Sequence, residues 1–470
     1  MVNHSQRSGV VLAIASLAAF MASLDVFIVN VAFDQIGADF SGATLSQLSW
    51  VLSGYAIVYA ALLVPAGRIA DRYGRKGGFL LGLAVFTAAS AACAASSGVW
   101  WLVAWRVLQA AGAALLTPAS LGLVVASTPP VHRQRSVRIW AATGAVAAAL
   151  GPAVGGVLVE ASWRWVFLVN VPVGLAALAA AAVWVPTSRD TSVTRIPDVL
   201  GALLLAVSIG ALTLALVKGP NWGWASGRTD AAWAAAVLSL LGFVASSARH
   251  EAPVIAPALL RVRAFAWANV TALLFAVPFA AALLTNILWL QLVWHYSAIK
   301  TGFAVAPGPM MVPLFAAVAH RLSRQVPIGV LVSLGCLLFA VGTTVTSLRV
   351  GSTPHYATEL LPGWLIGGAG VGFALPAILS SATADLPAAQ AATGSAVVNM
   401  SRQIGTALGV SLVVAVLGTP IGYAAAHTAF QHAWTILAAV AVLAALTAPP
   451  MTPTQRVEAE PMTTAELLTS

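Results

Sequence analysis

Charge is scarce in this 470-residue sequence: 23 Lys and Arg and 14 Asp and Glu make up 8% of the chain, where an ordinary soluble domain carries about 25%. So little charge cannot cover a water-facing surface, which excludes a soluble globular protein. Cysteine is nearly absent, and Cys93 and Cys336 both fall within apolar runs, which argues against a disulfide framework or a cysteine metal site. Lysine is almost missing as well. Three lysines against twenty arginines in an alanine-dense chain point to a GC-rich bacterial source. No nucleotide loop, metal-ligand spacing or His/Asp/Glu cluster is visible, so neither ATP as the drive nor a resident metal or cofactor is expected.

What the chain has in excess is apolar surface: 60% hydrophobic residues and a mean hydropathy of +0.90. Its natural solvent is a bilayer. The 39 glycines and 25 prolines suit helices that approach closely and bend, which membranes tolerate. The net charge of +9 would suggest nucleic acid in a soluble chain. Here the arginines sit in short breaks between apolar runs, where they set membrane orientation, so a nucleic-acid partner is rejected.

Runs of bilayer length predict fourteen helical spans, at 9–31, 48–66, 78–97, 99–126, 137–160 and 165–186, then 199–218 and 231–247, then 264–290, 302–320, 326–347, 357–383, 391–418 and 430–448. Continuous runs of this kind exclude the ten-residue alternating strands of a barrel. The first run is too long for a signal peptide, contains Asp25 and lacks a small-residue cleavage site, so it is expected to remain. With both termini cytoplasmic, sixteen positive residues fall on the inner side and five on the outer, the bias that orients such proteins. The layout predicts an all-α polytopic membrane protein: a six-helix bundle over 1–186, a connector with two further helices over 187–263, a second six-helix bundle over 264–450, and a polar, disordered cytoplasmic tail over 451–470.

The break after the second span reads Gly67-Arg68-Ile69-Ala70-Asp71-Arg72-Tyr73-Gly74-Arg75-Lys76. Its glycines permit a tight turn, Asp71 can face a helix N-terminus, and Arg72 and Arg75 can pair across a bundle. The fifth span carries Gly151-Pro152-Ala153-Val154-Gly155-Gly156, where glycines one turn apart open a flat helix face and Pro152 bends the rod. Both stretches resemble motifs of the major facilitator superfamily, G-x-L-A-D-R-x-G-R-K and the antiporter pattern G-P-x-x-G-G. Leu24-Asp25 with Asn30-Val31-Ala32, Arg106-Val107-Leu108-Gln109 with Gly112, and Trp163-Arg164-Trp165-Val166-Phe167 with Asn170-Val171-Pro172 narrow the resemblance to the fourteen-span drug/proton antiporters of the EmrB/QacA type. The resemblance spans essentially the whole chain. It implies the major facilitator fold, a gate-locking role for the Gly67–Lys76 loop and export of drugs. Phe27, Asp34, Ala110 and Ala147 depart from the usual residues, and 121–138 contains no acid to receive Arg75.

An ionisable group in mid-membrane costs about 3 kcal/mol on insertion scales, so each one retained calls for a partner or a task. Asp25 and Arg106 fall at the same depth, about 10 Å below the outer boundary at 1.5 Å per residue. Asp25 is the expected proton carrier with Arg106 as its neighbour; a static ion pair that only fixes packing is the competing reading. Ser395, Asn399, Arg402, Gln403 and Thr406 form a polar stripe on the thirteenth span, and Arg106, Gln109 and Thr117 another on the fourth. With Tyr55, Tyr59, Asn286, Trp289 and Gln291 they are candidates for a cavity that holds amphipathic molecules by stacking and scattered hydrogen bonds. Asp25, Arg106 and Arg402 together leave such a cavity one positive charge, which favours neutral, zwitterionic or anionic cargo over dications. The expected protein is a monomeric, proton-gradient-driven exporter of small amphipathic compounds, such as natural-product antibiotics, in a bacterial plasma membrane. A nutrient carrier of the same fold and a polytopic membrane transferase are the alternatives.

Overall fold

The computed structural model describes residues 4–190, 195–418 and 420–453, with side chains described from Ser8 onward except at 388 and 389. Most of the expected polar tail, from 454 on, lies outside the described residues, as does the Arg456 included in the charge count. Fourteen helices are long and apolar enough to cross a membrane: α1 (Ser8–Val31), α2 (Leu45–Tyr73), α3 (Arg75–Ala94), α4 (Val99–Ser127), α5 (Pro130–Ala161), α6 (Trp165–Trp184), α7 (Val199–Trp222), α8 (Gly227–Arg249), α9 (Arg263–Val293), α10 (Ala298–Leu322), α11 (Ile328–Arg349), α12 (Leu361–Ala384), α13 (Gln390–Leu417) and α14 (Tyr423–Thr447). Among the described residues there is no strand.

Several helices outrun the apolar stretches that announce them, because hydropathy marks only the lipid-buried part of a rod while backbone hydrogen bonds continue into the interface. α2 starts at Leu45 behind a capping box in which Thr44 and Gln47 satisfy each other's backbone. It continues through the charged motif to Tyr73 and stops at Gly74, whose φ of 129° few other residues adopt. α5 begins seven residues before its expected start, with Pro130 at the first helical position, where a missing N–H costs nothing. α9 ends in a π-turn over Trp289–Val293.

α1–α6 form one bundle and α9–α14 the other, built on close approaches of small residues, since lipid offers apolar side chains no reason to prefer protein. A Cβ on Gly112 of α4 would lie 2.6 Å from the Phe86 nitrogen of α3, and one on Gly82 of α3 would lie 2.7 Å from the Leu116 nitrogen of α4. The bundles meet along two seams, α2 against α13 and α5 against α10. The additional pair stands beside the first seam: α7 packs on both α2 and α13, and α8 packs on α7. Asp198 caps α7 by accepting from the Gly201 N–H at 2.7 Å and holds α8 through the Ser246 hydroxyl at 2.8 and 2.9 Å.

Taking as inner the end that carries Gly67–Lys76, the second seam is closed only over its outer half. There a Cβ on Gly156 of α5 would meet the Ala298 carbonyl oxygen of α10 at 2.6 Å, and Gly302 of α10 lies against the Pro152 carbonyl of α5. Gln291 adds an outer tie, donating to the Val31 carbonyl at 3.0 Å. Residues 301–306 of α10 are mostly buried, whereas 309–318 are half-buried or exposed; on α5, 151, 152, 155, 156 and 159 are buried, whereas of 137–150 only Ala147 is. At this seam the two bundles therefore part toward the inner end.

Gly302→Ala places a methyl group against the Pro152 carbonyl and is expected to lower stability by about 1–3 kcal/mol. Gly210→Ala, which meets open space, should leave it unaltered or slightly raised. Thermal unfolding of the two variants in detergent checks the contrast, and equal melting temperatures would refute the tight seam.

Candidate functional site

Asp25 lies in the outer half of α1 and is fully buried. Two other helices converge on its carboxylate. From α4, Arg106 pairs with Oδ2 through Nη1, and Gln109, one turn further along, donates to Oδ1 at 2.8 Å. From α6, Asn170 donates to the same Oδ1 at 3.0 Å. The remaining polar groups are also engaged: Arg106 donates to the Gln109 carbonyl oxygen at 2.6 Å and to the Val51 backbone carbonyl of α2 at 3.2 Å, and Gln109 donates to the Ser90 hydroxyl of α3 at 2.8 Å. The guanidinium lies over the Tyr55 ring at 4.2 Å, with Phe167 at 5.7 Å. A charge pair in a low-dielectric interior persists only when its spare donors and acceptors are filled, and here they are.

The three sequence signatures on α1, α4 and α6 thus meet at one place. Asn170 and Ser90 were not among the expected site residues; Asn170 stood in a recognised motif, but nothing in sequence tied it to Asp25. Outside the network the structure is sealed. Gly151 and Gly155 of α5 pack against Phe27 and Ile28 of α1, immediately beyond Asp25, so close that a Cβ on Gly151 would lie 2.6 Å from the Phe27 Cβ. The unusual Phe27 therefore rests on the first glycine of the antiporter-like motif. Above it, Asp39 accepts from the Trp163 indole at 3.0 Å and pairs with Arg164 at 2.9 Å. The Trp163 hydrogen bond and Arg164 together hold the Asp39 carboxyl below the usual carboxylate range. This outer clasp is accordingly intact at neutral pH and is lost only as pH falls through that lowered value.

The residues expected to contact cargo divide by accessibility. Tyr55 and Gln109 are buried within the first bundle as parts of the Asp25 network. Asn286 and Trp289 are buried within the second: Asn286 accepts from the Trp434 indole at 3.0 Å, and Trp289 packs against Phe430 and Trp434 with ring centroids 5.2 and 5.3 Å away. Tyr59, Asn399, Arg402 and Gln403 are half-buried. Tyr59 stacks on Tyr55 and donates to Thr117 of α4 at 3.2 Å, and the charge of Arg402 reaches it from the other bundle. On α13, Ser401, Gly405 and Gly409 face α9, against Asn269, Leu273 and Val277. The stripe of Ser395, Asn399, Arg402, Gln403 and Thr406 consequently lies on the flank beside that face, with Arg402 nearest to it and Gln403 farthest round.

At the inner end, the Gly67–Lys76 turn is strapped by the segment after α6. Arg75 pairs with Asp71 at 2.6 Å and with Asp190 at 3.7 Å. Backbone bonds from Arg75 to Ser188 and from Asp190 to Asp71, each 2.8 Å, fix the strap, and Lys76 donates to the Ala182 carbonyl at 2.8 Å. The acid missing from 121–138 is thus supplied by Asp190. α4 approaches the same guanidinium through Gly122, where a Cβ would lie 2.9 Å from the Arg75 side chain. Arg72 lies over the Tyr73 ring at 5.3 Å.

Breaking the buried pair from one side should be severe. Arg106→Leu leaves the Asp25 carboxylate without its counter-charge and is expected to cost about 3–5 kcal/mol, whereas the Asp25→Leu/Arg106→Leu double variant should recover most of that stability. Denaturation of wild type, Asp25→Leu, Arg106→Leu and the double variant in detergent measures the coupling, and additive losses would contradict it.

Over residues 15–410 the sequence matches the Major Facilitator Superfamily. It is 32% identical over 412 residues to the methylenomycin A resistance protein of Streptomyces coelicolor, covering 87% of this chain and 86% of that one. It is also 32% identical over 430 residues to the tetracenomycin C resistance and export protein of Streptomyces glaucescens, covering 90% and 79%. Among solved structures, a POT family transporter in complex with 5-aminolevulinic acid superposes with a TM-score of 0.68 at 16% identity, covering 94% of this chain and 96% of that one, and so shares its fold. Fourteen membrane-length helices in two bundles, the converging signatures and these similarities lead to one conclusion: this multi-pass membrane protein belongs to the Major Facilitator Superfamily.

Proposed function

We propose that this protein is a proton-coupled exporter of small amphipathic compounds, natural-product antibiotics among them, working by alternating access. Its similarity to proteins named for resistance and export supports the direction and the cargo class. The observation that carries the proton half is the setting of Asp25. Among the described residues it is the one acid in the middle of a span, since Asp71, Glu160 and Asp230 lie in first or last helical turns. With the outer end closed, Asp25 is shut away as one half of an ion pair, the state expected after a proton has left. Opening the outer seam moves α5 off Phe27 and Ile28 and admits water to Asp25. Protonation then cancels its charge and releases Arg106, which biases the bundles toward the other packing.

Cargo enters from the inner opening and meets the polar stripe of α13 opposite Tyr59. Asp25 and Gln109 act on coupling, and Asn399, Arg402 and Gln403 on cargo. The buried Asn286 and Trp289 would reach cargo only through a rearrangement of the second bundle. The Gly67–Lys76 turn with its Asp190 strap serves as the inner lock. Sixteen positive residues against five, with an even number of spans, support a bacterial plasma membrane with both termini cytoplasmic. The protein is proposed to work as a monomer, driven by the proton gradient without a cofactor.

The test uses inside-out vesicles with an acid interior and no ATP, offered a panel of antibiotics and dyes. Wild type is expected to accumulate a subset of them. Asp25→Asn should reduce gradient-driven accumulation to background while retaining gradient-independent exchange of labelled for unlabelled cargo. Full gradient-driven uptake by Asp25→Asn would remove Asp25 from the mechanism, and no uptake of any compound by wild type would overturn export.

A further inference from the structure

Two guanidinium groups lie deep in the membrane-spanning part, and their surroundings differ sharply. Arg106 is held by a carboxylate, a side-chain amide oxygen, a backbone carbonyl and an aromatic face. Arg402 sits near the midpoint of α13, about 18 Å along the axis from its inner end. Its side chain donates one hydrogen bond, from Nη1 to the Asn399 Oδ1 at 2.9 Å. Asn399 is held for that purpose by donating to the Ser395 carbonyl at 2.9 Å. Among the described residues Arg402 forms no salt bridge, and the neutral Tyr59 phenol of the opposite bundle lies near enough to feel its charge.

A guanidinium has five N–H donors in a planar fork shaped for a carboxylate. Placing one at mid-depth is costly, and natural proteins offset that cost with a partner or assign the charge a task. This one is half-buried, at the edge of the α13 face that packs on α9 and turned toward the polar flank that carries Asn399 and Thr406. The internal pairing of Asp25 and Arg106 cancels within the first bundle, whereas Arg402 has no counter-charge among the described residues at its depth.

We propose that Arg402 is the anchor for a carboxylate carried by the cargo, so that the preferred compounds are monoanionic amphipaths whose acid docks on the guanidinium and whose apolar body lies toward Tyr59. The assignment rests on the exporter reading above and narrows it to one charge class. Anionic cargo fills the open fork with charge-assisted hydrogen bonds. Neutral cargo leaves the fork unfilled, and cationic cargo meets like charge in a medium of low dielectric. Asn399 acts as a positioning residue that sets the plane of the fork.

Three probes with one aromatic body separate these cases: pyrenebutyrate, its methyl ester and pyrenebutylamine. Binding to the purified full-length protein, read by energy transfer from tryptophan, should be about ten- to hundredfold tighter for the acid than for the ester, and weakest for the amine. Arg402→Gln should bring the acid to the level of the ester while leaving the ester's affinity and the melting temperature unaltered, and Arg402→Lys should keep part of the preference. The assignment is overturned if the ester binds as tightly as the acid, if wild type shows no saturable binding of the acid, or if Arg402→Gln leaves acid binding intact. Uptake of the three probes by inside-out vesicles under a proton gradient separates the two readings. Equal uptake of acid, ester and amine overturns the anchor and leaves export standing, whereas acid binding without gradient-driven uptake overturns export and leaves the anchor standing.

Discussion

An aspartate and an arginine held where water does not reach impose more on this structure than any other contact. Either charge alone in the first bundle would cost several kcal/mol, and even paired they leave lone pairs and N–H groups that lipid cannot satisfy. Every neighbour of Asp25 and Arg106 answers that demand. Gln109 and Asn170 fill Oδ1, the Val51 carbonyl takes Nε, Ser90 accepts from Gln109, and Tyr55 and Phe167 cover the guanidinium face. The network joins α1, α2, α3, α4 and α6, so a change in the charge of Asp25 is felt by most of the bundle at once.

The second constraint is small-residue packing at the seam. Gly151 and Gly155 bring α5 onto α1 just beyond Asp25, while Pro152 and Gly156 bring it onto α10 of the other bundle. One short stretch of helix therefore both covers the carboxyl group and closes the outer end. The two contacts share one stretch of backbone, so a shift of α5 at this point would disturb both. Backbone-to-backbone contacts of this closeness are either made or lost, since a rod cannot back away slightly and keep its packing. At the inner end the Asp190 strap holds Arg75 beside the Gly67–Lys76 turn, so the connector to the two additional helices is tied to that turn.

Much of this was legible from residues alone. Spans followed from the length of apolar runs, and the common depth of Asp25 and Arg106 followed from counting along helices of opposite direction. Rotation about each helix axis was not legible. In an ordinary water-soluble helix the polar face declares itself, but here lipid and bundle interior are equally apolar. Gln109 and Thr117 share a stripe on α4, yet Gln109 is sealed into the Asp25 network and Thr117 is half-buried beside Tyr59. Trp289 and Asn286, read as cavity aromatics and amides, are packed within the second bundle for the same reason. The partner of Arg75 was sought in α4 and lies in the connector instead.

The sequence by itself determined how many rods cross the membrane, which residues carry charge into it, and which superfamily the motifs resemble, because chain length against bilayer thickness and the cost of burying charge act on each segment separately. Only tertiary structure decided which charges meet, which end is closed and which guanidinium is left with open donors. Those outcomes depend on the rotation and tilt of one helix against another, and they are set by contacts between residues far apart in the chain.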